Sequence, residues 1–222
     1  MNDPCVESVE ELSSRVLDLR QSISTDERLM IAICGAPGSG KSTLAQHLVD
    51  QLNASLSGTD EGAVVVPMDG FHFDNAVLDQ HGTRAIKGSP QTFDVGGFLA
   101  LIHRLCIRTE QSVYVPVFDR DADLARNAAQ AITNEHTIVI VEGNYLLLQQ
   151  EPWCELKSLF RCNIMLEVPF DILEQRLVQR WLDYGHTEAQ ARLRAESNDL
   201  PNARLVADES ARAHLYYKSM RQ

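Results

Sequence analysis

The feature that most restricts the fold of this chain is one octapeptide, Gly35-Ala36-Pro37-Gly38-Ser39-Gly40-Lys41-Ser42. It fits the pattern G-x-x-x-x-G-K-[ST], in which glycines let the backbone curl so that its N–H groups point at phosphate oxygens. An apolar run at residues 29–34 precedes it and predicts a buried strand, whereas leucines every four residues over 42–56 predict a helix. We therefore expect a phosphate-binding loop between a strand and a helix. The alternative is an ordinary glycine turn in the same place.

The residue types of this octapeptide match the charge of a nucleoside triphosphate. Lys41 supplies a positive charge that can follow the β- and γ-phosphates, and the Ser42 hydroxyl can ligate Mg²⁺. The helix that follows presents its positive N-terminal end to the same anion. The loop predicts a site for a nucleotide with Mg²⁺, but such loops occur in switches, motors and pumps as well as in kinases.

Length, charge and cysteine usage narrow the class of protein. The 222 residues suffice for one α/β domain, 1–222, with a substantial core. The formal charge of −11 argues against a nucleic-acid-binding protein, and the five scattered cysteines favour reduced thiols in a cytosolic protein. Neither a signal peptide nor an apolar run of about 20 residues is visible. We expect a cytoplasmic protein that binds neither nucleic acid nor membrane.

Apolar and amphipathic segments alternate along the chain. An amphipathic helix within residues 1–27 precedes the first strand, and further strands are predicted at 64–68, 137–141 and 163–168. Helices are predicted at 94–108, 171–184 and 187–197, and a long functional loop at 71–90. This alternation predicts an α/β fold with a parallel sheet and helices on both faces.

Two further segments are ambiguous in the sequence. Residues 113–118 alternate weakly and contain Pro116, which favours an edge strand or an extended loop. Near the C-terminus, Leu205 and Val206 are compatible with the start of a last strand, and residues 211–220 with a helix. The sequence assigns neither segment a single structure.

Two carboxylates directly follow predicted strands. In parallel sheets ligands bind beyond the carboxyl ends of the strands, where Asp69 and Glu142 are expected. Transfer of a phosphoryl group to an alcohol needs a carboxylate that orients the hydroxyl and accepts its proton, and Asp69 is the candidate. Its alternative is a turn-forming role before Gly70. Glu142 is a candidate Mg²⁺ ligand, a role that Asp69 could share, and its alternative is an acid that caps a nearby helix.

Arg176 and Arg180 lie four residues apart, on one face of the predicted helix 171–184. They suit a lid over about residues 171–200 that closes on the γ-phosphate, excludes water and stabilises the transition state. The spacing alone favours the alternative of a solvated basic stripe paired with Glu174 and Asp183.

Taken together, these segments resemble P-loop kinases of the phosphoribulokinase/uridine kinase/pantothenate kinase family over about residues 28–210. The matching segments are residues 35–43, Met68-Asp69-Gly70-Phe71-His72, residues 87–94, residues 141–147 and the helix with Arg176 and Arg180. Residues 69–94 look most like bacterial pantothenate kinase. Residues 116–120 and 198–206 look more like a subgroup often labelled uridine-kinase-like or fructose-transport-associated kinases.

The resemblance implies a role for each matching residue. The implied catalytic residues are Lys41, Asp69, Arg176 and Arg180, and the implied Mg²⁺ ligands are Ser42 and Glu142. The implied nucleotide-binding residues are Gly35, Ala36, Pro37, Gly38, Ser39, Gly40, Lys41, Ser42 and Thr43. The implied acceptor-binding residues are Asp69, His72, Lys87, Asp119, Arg120 and Tyr145. It further implies ATP and Mg²⁺ as cofactors, a three-layer core at 28–210 with a mainly parallel five-stranded sheet and a helical lid, and a homodimer.

The sequence leaves alternatives open for both the acceptor and the reaction class. Lys87 and Arg120 suit an anionic acceptor, whereas His72 and Asp119 suit a polyol, so a sugar-like acceptor competes with a pantothenate- or nucleoside-like one. A regulatory ATPase without a small-molecule acceptor is the alternative of another class. A GTPase is disfavoured because no Asn-Lys-x-Asp segment is present. An ATP-binding protein without catalysis is disfavoured because the loop residues and both carboxylates are present.

Overall fold

The computed structural model describes residues 5–218, in which eight strands are found. The strands are β1 (Cys5–Val6), β2 (Leu29–Gly35), β3 (Gly62–Pro67), β4 (Ser112–Asp119), β5 (Leu124–Thr133), β6 (His136–Gly143), β7 (Cys162–Glu167) and β8 (Leu215–Lys218). Six of them form a sheet in the order β1-β8-β7-β2-β6-β3, and every pairing in it is parallel. The five strands expected from the resemblance are therefore extended at one edge by the two-residue strand β1.

Helices cover both faces of this sheet. They are α1 (Val9–Gln21), α2 (Lys41–Ser55), α3 (Asn75–His81), α4 (Val95–Ile107), α5 (Phe170–Asp183), α6 (Glu188–Arg194) and α7 (Leu200–Glu209). A 3₁₀ turn, Met68–Phe71, follows β3, and a π-helical turn, Ala195–Asp199, joins α6 to α7. No helix within residues 5–218 is both long enough and apolar enough to cross a lipid bilayer.

Strand β2 is buried on both faces, which explains its continuous apolar sequence. Alternate residues of a strand point to opposite faces. Ala32 therefore belongs to the same hydrophobic layer as Phe98 of α4, whereas Ile31 belongs to the layer that contains Leu48 of α2 and Leu12 of α1. The sheet with these two layers of helices is the predicted three-layer α/β fold.

The register of the central strands brings three chemical groups to one edge of the sheet. Glu142 of β6 is paired with Ile33 of β2 on one side and with Pro67 of β3 on the other. Gly35 begins the phosphate loop just beyond Ile33, and Asp69 lies just beyond Pro67. The loop, Glu142 and Asp69 therefore meet at the carboxyl ends of adjacent strands, as the sequence predicts.

An antiparallel hairpin of β4 and β5 lies outside the main sheet. The sequence predicts β4 only as an edge strand or loop and does not predict β5, because β5 is mostly exposed and rich in alanine. Pro116 lies at a shift of register between Val115 and Val117. Its carbonyl oxygen approaches Gly70 so closely that a Cβ atom there would collide with it. Glycine at position 70 thus lets the hairpin lie directly against the turn that carries Asp69.

The two predictions for the C-terminal region are wrong. Val206 lies in α7, where Leu200, Ala203 and Val206 form one buried helical face instead of starting a strand. Leu215 and Tyr217 are buried in alternation, and β8 pairs with β7, so this segment is a strand instead of a helix. The remainder of that predicted helix, residues 219–220, lies outside the described residues.

Candidate functional site

The phosphate loop joins β2 to α2. Gly38 and Gly40 have φ angles of 79° and 90°, in the left-handed region that favours glycine. Gly40 precedes α2 and has no side chain that could cap it, so the first N–H groups of the helix stay available to an anion. The loop thus has the backbone conformation that a phosphate site needs.

Helix α5 contacts this loop directly. It begins the region of about residues 171–200 that the sequence predicts to be a lid, and this region is called the lid below. The Arg176 guanidinium donates a hydrogen bond of 3.2 Å to the carbonyl oxygen of Ser39. A Cβ atom on Gly38 would lie 3.1 Å from Leu177, so glycine also allows the close approach of α5. Arg176 is therefore bonded to the loop and does not belong to a purely solvated stripe.

Glu142 lies below the loop and is only 5% exposed. Burial raises the pKa of its carboxyl group, as does the charge of Asp69, while Lys41 and a hydrogen bond with Ser42 act in the opposite direction. Hydroxyl and carboxylate oxygens are the ligands that Mg²⁺ prefers in proteins. The structure places Ser42 and Glu142 side by side, and this donor pair fits a magnesium ion.

Asp69 lies in the 3₁₀ turn after β3 and is half-buried. Burial disfavours its charged form, but the charges of His72, Lys41 and Arg120 outweigh that effect and hold the pKa of the carboxyl group below its usual range. Arg120 Nη2 lies 2.9 Å from Asp69 Oδ2. Asp69 is therefore ionised at neutral pH, in the electrostatic field of both the loop and the hairpin.

A cavity of about 520 Å³ lies in front of Asp69, bounded by the hairpin, residues 84–88 and the lid. Of the predicted site residues, it is lined by Pro37, Asp69, His72, Lys87, Arg120 and Arg180. A second cavity, of about 850 Å³, is lined by loop residues that include Gly38, Gly40 and Thr43, and by Arg176. The first volume falls in the range of small-molecule pockets.

His72 lies in the wall of the first cavity. Burial lowers its pKa, although Asp69 acts in the opposite direction. Its Nδ1 atom lies 2.8 Å from the Asp69 carbonyl oxygen, which can only accept, so Nδ1 carries a proton. The ring packs against Phe93 and Phe118, with centroid distances of 4.0 and 4.8 Å.

Lys87 is held in place within the same wall. Its Nζ atom donates hydrogen bonds of 2.8 Å to Asn75 Oδ1, to the Asp123 carbonyl oxygen and to Asp123 Oδ1. It also lies 4.9 Å from the centroid of the Phe118 ring. The charge of Lys87 is therefore largely compensated by the protein itself.

The lid contributes Arg180 and an aspartate that the sequence analysis missed. Asp199 is buried in the π-helical turn and accepts two hydrogen bonds, from Arg180 Nη2 at 2.8 Å and from Trp181 Nε1 at 2.6 Å. A π turn adds a residue to the helical repeat and is frequent at functional sites. A pattern of regular helical spacing does not predict this insertion. In the sequence, only the resemblance over residues 198–206 includes Asp199.

Asn198, in the same π turn, links the lid to the opposite wall. Its side chain donates to the Lys87 carbonyl oxygen at 2.8 Å and accepts from the Ser89 hydroxyl at 3.0 Å. Asn202 donates to Asn198 Oδ1 at 3.1 Å. These hydrogen bonds hold the lid against residues 87–89. The sequence analysis assigned no role to Asn198 or Asn202.

Two residues predicted to face the acceptor lie elsewhere. Tyr145 is fully buried, packs against Phe93 and Trp153, and donates a 2.6 Å hydrogen bond to the Gly88 carbonyl oxygen, so it supports the wall from behind. Asp119 accepts a hydrogen bond from Ala122 N and pairs with Arg126 at 3.5 Å, within the hairpin. Both side chains bind partners within the protein, and neither lines the first cavity.

Comparison with known proteins yields a consistent set of relatives. A family model described as an AAA domain matches residues 31–194. A Schizosaccharomyces pombe protein named "Putative uridine kinase" is 32% identical over 209 residues, covering 91% of this chain and 87% of that protein. The uncharacterized protein YggC of Escherichia coli is 33% identical over 213 residues, covering 95% of this chain and 86% of YggC.

A solved structure matches almost the whole chain. It is described as a "putative fructose transport system kinase" from Silicibacter sp. TM1040, and it is 42% identical to this chain. The match covers 95% of this chain and 99% of that one, with a TM-score of 0.88.

Proposed function

Because the chain belongs to the uridine kinase/phosphoribulokinase family of P-loop kinases, we propose that it transfers the γ-phosphoryl group of ATP to a hydroxyl of a small polar metabolite. The observation that carries this proposal is the position of Asp69. This carboxylate lines the 520 Å³ cavity, and the charge of Lys41 in the phosphate loop helps to lower its pKa. A sugar-like acceptor is the leading class, and a pantothenate- or uridine-type acceptor is the alternative.

The donor half of the site consists of the loop and the start of α2. The N–H groups at the start of α2 and Lys41 would bind the phosphates, and Ser42 and Glu142 would hold Mg²⁺. The bound ion would neutralise part of the charge on the phosphate oxygens. Arg176 keeps the lid helix against the loop, as its hydrogen bond to Ser39 suggests.

The acceptor half uses Asp69 as a general base. Asp69 orients the acceptor hydroxyl and takes its proton as the hydroxyl oxygen bonds to the γ-phosphorus. The bond between that phosphorus and the β,γ-bridging oxygen breaks, and ADP leaves with the electron pair. Arg180 turns from Asp199 toward the moving phosphoryl group and stabilises its charge in the transition state.

The experiment is an assay of ADP release with a panel of sugars, nucleosides and pantothenate. We expect release to depend on one class of acceptor. Turnover that is the same with and without every acceptor would contradict the proposal and support a regulatory ATPase.

A further inference from the structure

The cavity in front of Asp69 carries an excess of positive charge, although the chain as a whole has a formal charge of −11. Its cationic side chains are Arg84, Lys87, Arg120, Arg180 and Arg194, and its carboxylates are Asp69, Asp123 and Asp199. A cleft lined mainly by one sign of charge attracts ligands of the opposite sign. The cavity therefore contrasts with the rest of the acidic molecule.

Four of these five cations already have carboxylate partners. Arg84 pairs with Asp79 and Asp123, Lys87 pairs with Asp123, Arg120 pairs with Asp69, and Arg180 pairs with Asp199. Each pair compensates the charge of its cation. Because Arg84 also pairs with Asp79, which lies outside the cavity lining, the remaining excess charge is that of the fifth cation.

Arg194 is the cation that lacks a carboxylate partner within residues 5–218. It is the last residue of α6, and its guanidinium lies 5.1 Å from the centroid of the Trp181 ring. Stacking on an aromatic face leaves the N–H groups at the edge of a guanidinium free to donate. Arg192, two residues earlier, is also exposed but pairs with Glu188.

We propose that the acceptor is an organic oxyanion, a hydroxylated carboxylate or phosphate ester, and that Arg194 binds its negative group. This inference rests on the proposed function. A guanidinium offers a planar fork that matches both kinds of oxyanion. Arg194 is exposed to solvent, and a neutral polyol would fill the cavity without pairing its charge, whereas an oxyanion would pair it.

Matched pairs of acceptors test the charge directly. In each pair the neutral member carries a hydroxymethyl or hydroxyl group where the anionic member carries its carboxylate or phosphate: glycerate and glycerol, gluconate and glucitol, pantothenate and pantothenyl alcohol, ribose 5-phosphate and ribose. We expect ADP release with the anionic member of a pair to exceed that with the neutral one by about 10- to 100-fold in kcat/KM. The carboxylate and phosphate pairs distinguish the two kinds of oxyanion.

The variant Arg194→Gln tests the assigned residue, and Arg192→Gln is its matched control on the same short helix. The first is expected to raise the KM for the anionic acceptor about 10- to 100-fold while the KM for ATP stays the same. The control is expected to change neither. Turnover that prefers neutral acceptors, or an Arg194→Gln variant that keeps the preference for anions, would overturn the inference and leave the kinase activity standing.

A binding measurement covers the case in which no probe is phosphorylated. The centroid of the Trp181 ring lies 5.1 Å from the Arg194 guanidinium and 5.6 Å from that of Arg180, so its fluorescence should respond to an anion, and Trp181→Phe identifies its signal. With a non-hydrolysable ATP analogue and Mg²⁺ present, the anionic probes should change this signal in the wild type and not in Arg194→Gln. Absence of a response to every anionic probe would overturn the inference. Absence of any acceptor-dependent ADP release would count only against the proposed function.

Discussion

The phosphate loop and the acceptor cavity lie next to each other but are built in different ways. The loop is one continuous segment, residues 35–43, and its ligand-binding groups are largely backbone N–H groups held by glycine conformations. The cavity is assembled from side chains of residues 69–72, 84–88, 118–123 and 180–202. In the proposed function, donor binding therefore depends on local sequence, whereas acceptor choice depends on how distant segments pack.

The two regions also differ in how their charges are arranged. Beside the loop, Lys41 faces the two carboxylates Asp69 and Glu142, and a magnesium ion would complete the balance. In the cavity, Arg120 and Arg180 are already paired with aspartates and must exchange those partners to act on a substrate. Substitutions in the loop should therefore affect every reaction, and substitutions in the cavity should affect selectivity.

The largest effect is expected at Asp69, where the two regions meet. Asp69→Asn should lower kcat by about 10²- to 10⁴-fold, because the base that accepts the hydroxyl proton is lost while the loop stays intact. Affinity for ATP, measured by calorimetry, should be unchanged. Asp121→Asn, at an exposed position of the hairpin, is the control and should keep wild-type turnover. Unchanged turnover in Asp69→Asn would remove Asp69 from the role of base.

A substitution in the loop should act on binding and turnover together. Lys41→Ala removes a charge that meets the phosphates before and during transfer, so we expect weaker ATP binding and a loss of about 10²- to 10³-fold in kcat. Lys157→Ala, far along the chain in the turn Trp153–Leu159, is the control. Normal ATP affinity in Lys41→Ala would contradict the assignment of the loop.

A smaller effect, on pH dependence, is expected at the hairpin. Arg120 lowers the pKa of Asp69, so Arg120→Gln raises it, and Asp69 becomes protonated at a higher pH as the solution is acidified. The acid limb of the pH profile of kcat/KM should therefore move to higher pH than in the wild type. Arg126→Gln, which removes the partner of Asp119, should leave the limb in place. Superimposable limbs in Arg120→Gln and wild type would mean that Asp69 does not control the profile.

The smallest effect is expected at Tyr145. It distinguishes a residue that supports the cavity wall from one that binds the acceptor. Tyr145→Phe removes the hydrogen bond to the half-buried Gly88 carbonyl oxygen and should lower the free energy of unfolding by about 1–3 kcal/mol in a denaturant titration. The KM for the acceptor should change little. Tyr114→Phe, at a side chain that is 59% exposed, should not alter stability. A large rise in acceptor KM with unchanged stability would place Tyr145 in the binding site after all.

The sequence predicts where the loop and the two carboxylates lie, because these signals are local. An apolar run, glycines at fixed spacing and a carboxylate at a strand end each report on a few consecutive residues, and the structure brings Lys41, Ser42, Asp69 and Glu142 together. The parallel sheet follows from the same pattern, since buried strands read as continuous apolar runs.

The acceptor half and the edges of the fold are harder to predict because they depend on contacts with residues that are distant in the sequence. Strand β5 has no alternating pattern and exists as the partner of β4, and β8 is a strand because β7 offers it an edge. Asp199 gains its role from a π turn that places it against Arg180 and Trp181. Proposed dimer formation stays a prediction that nothing in a single chain tests.

The most direct test of a two-substrate site is to follow where the γ-phosphate goes. Phosphorus NMR on the wild-type enzyme with ATP, Mg²⁺ and the acceptor that gives the fastest ADP release would measure ADP, inorganic phosphate and phosphorylated acceptor in one reaction. The account predicts one phosphorylated acceptor for each ADP, with inorganic phosphate at background, and loss of both products in Asp69→Asn. Release of one inorganic phosphate for each ADP, with no phosphorylated acceptor, would contradict it.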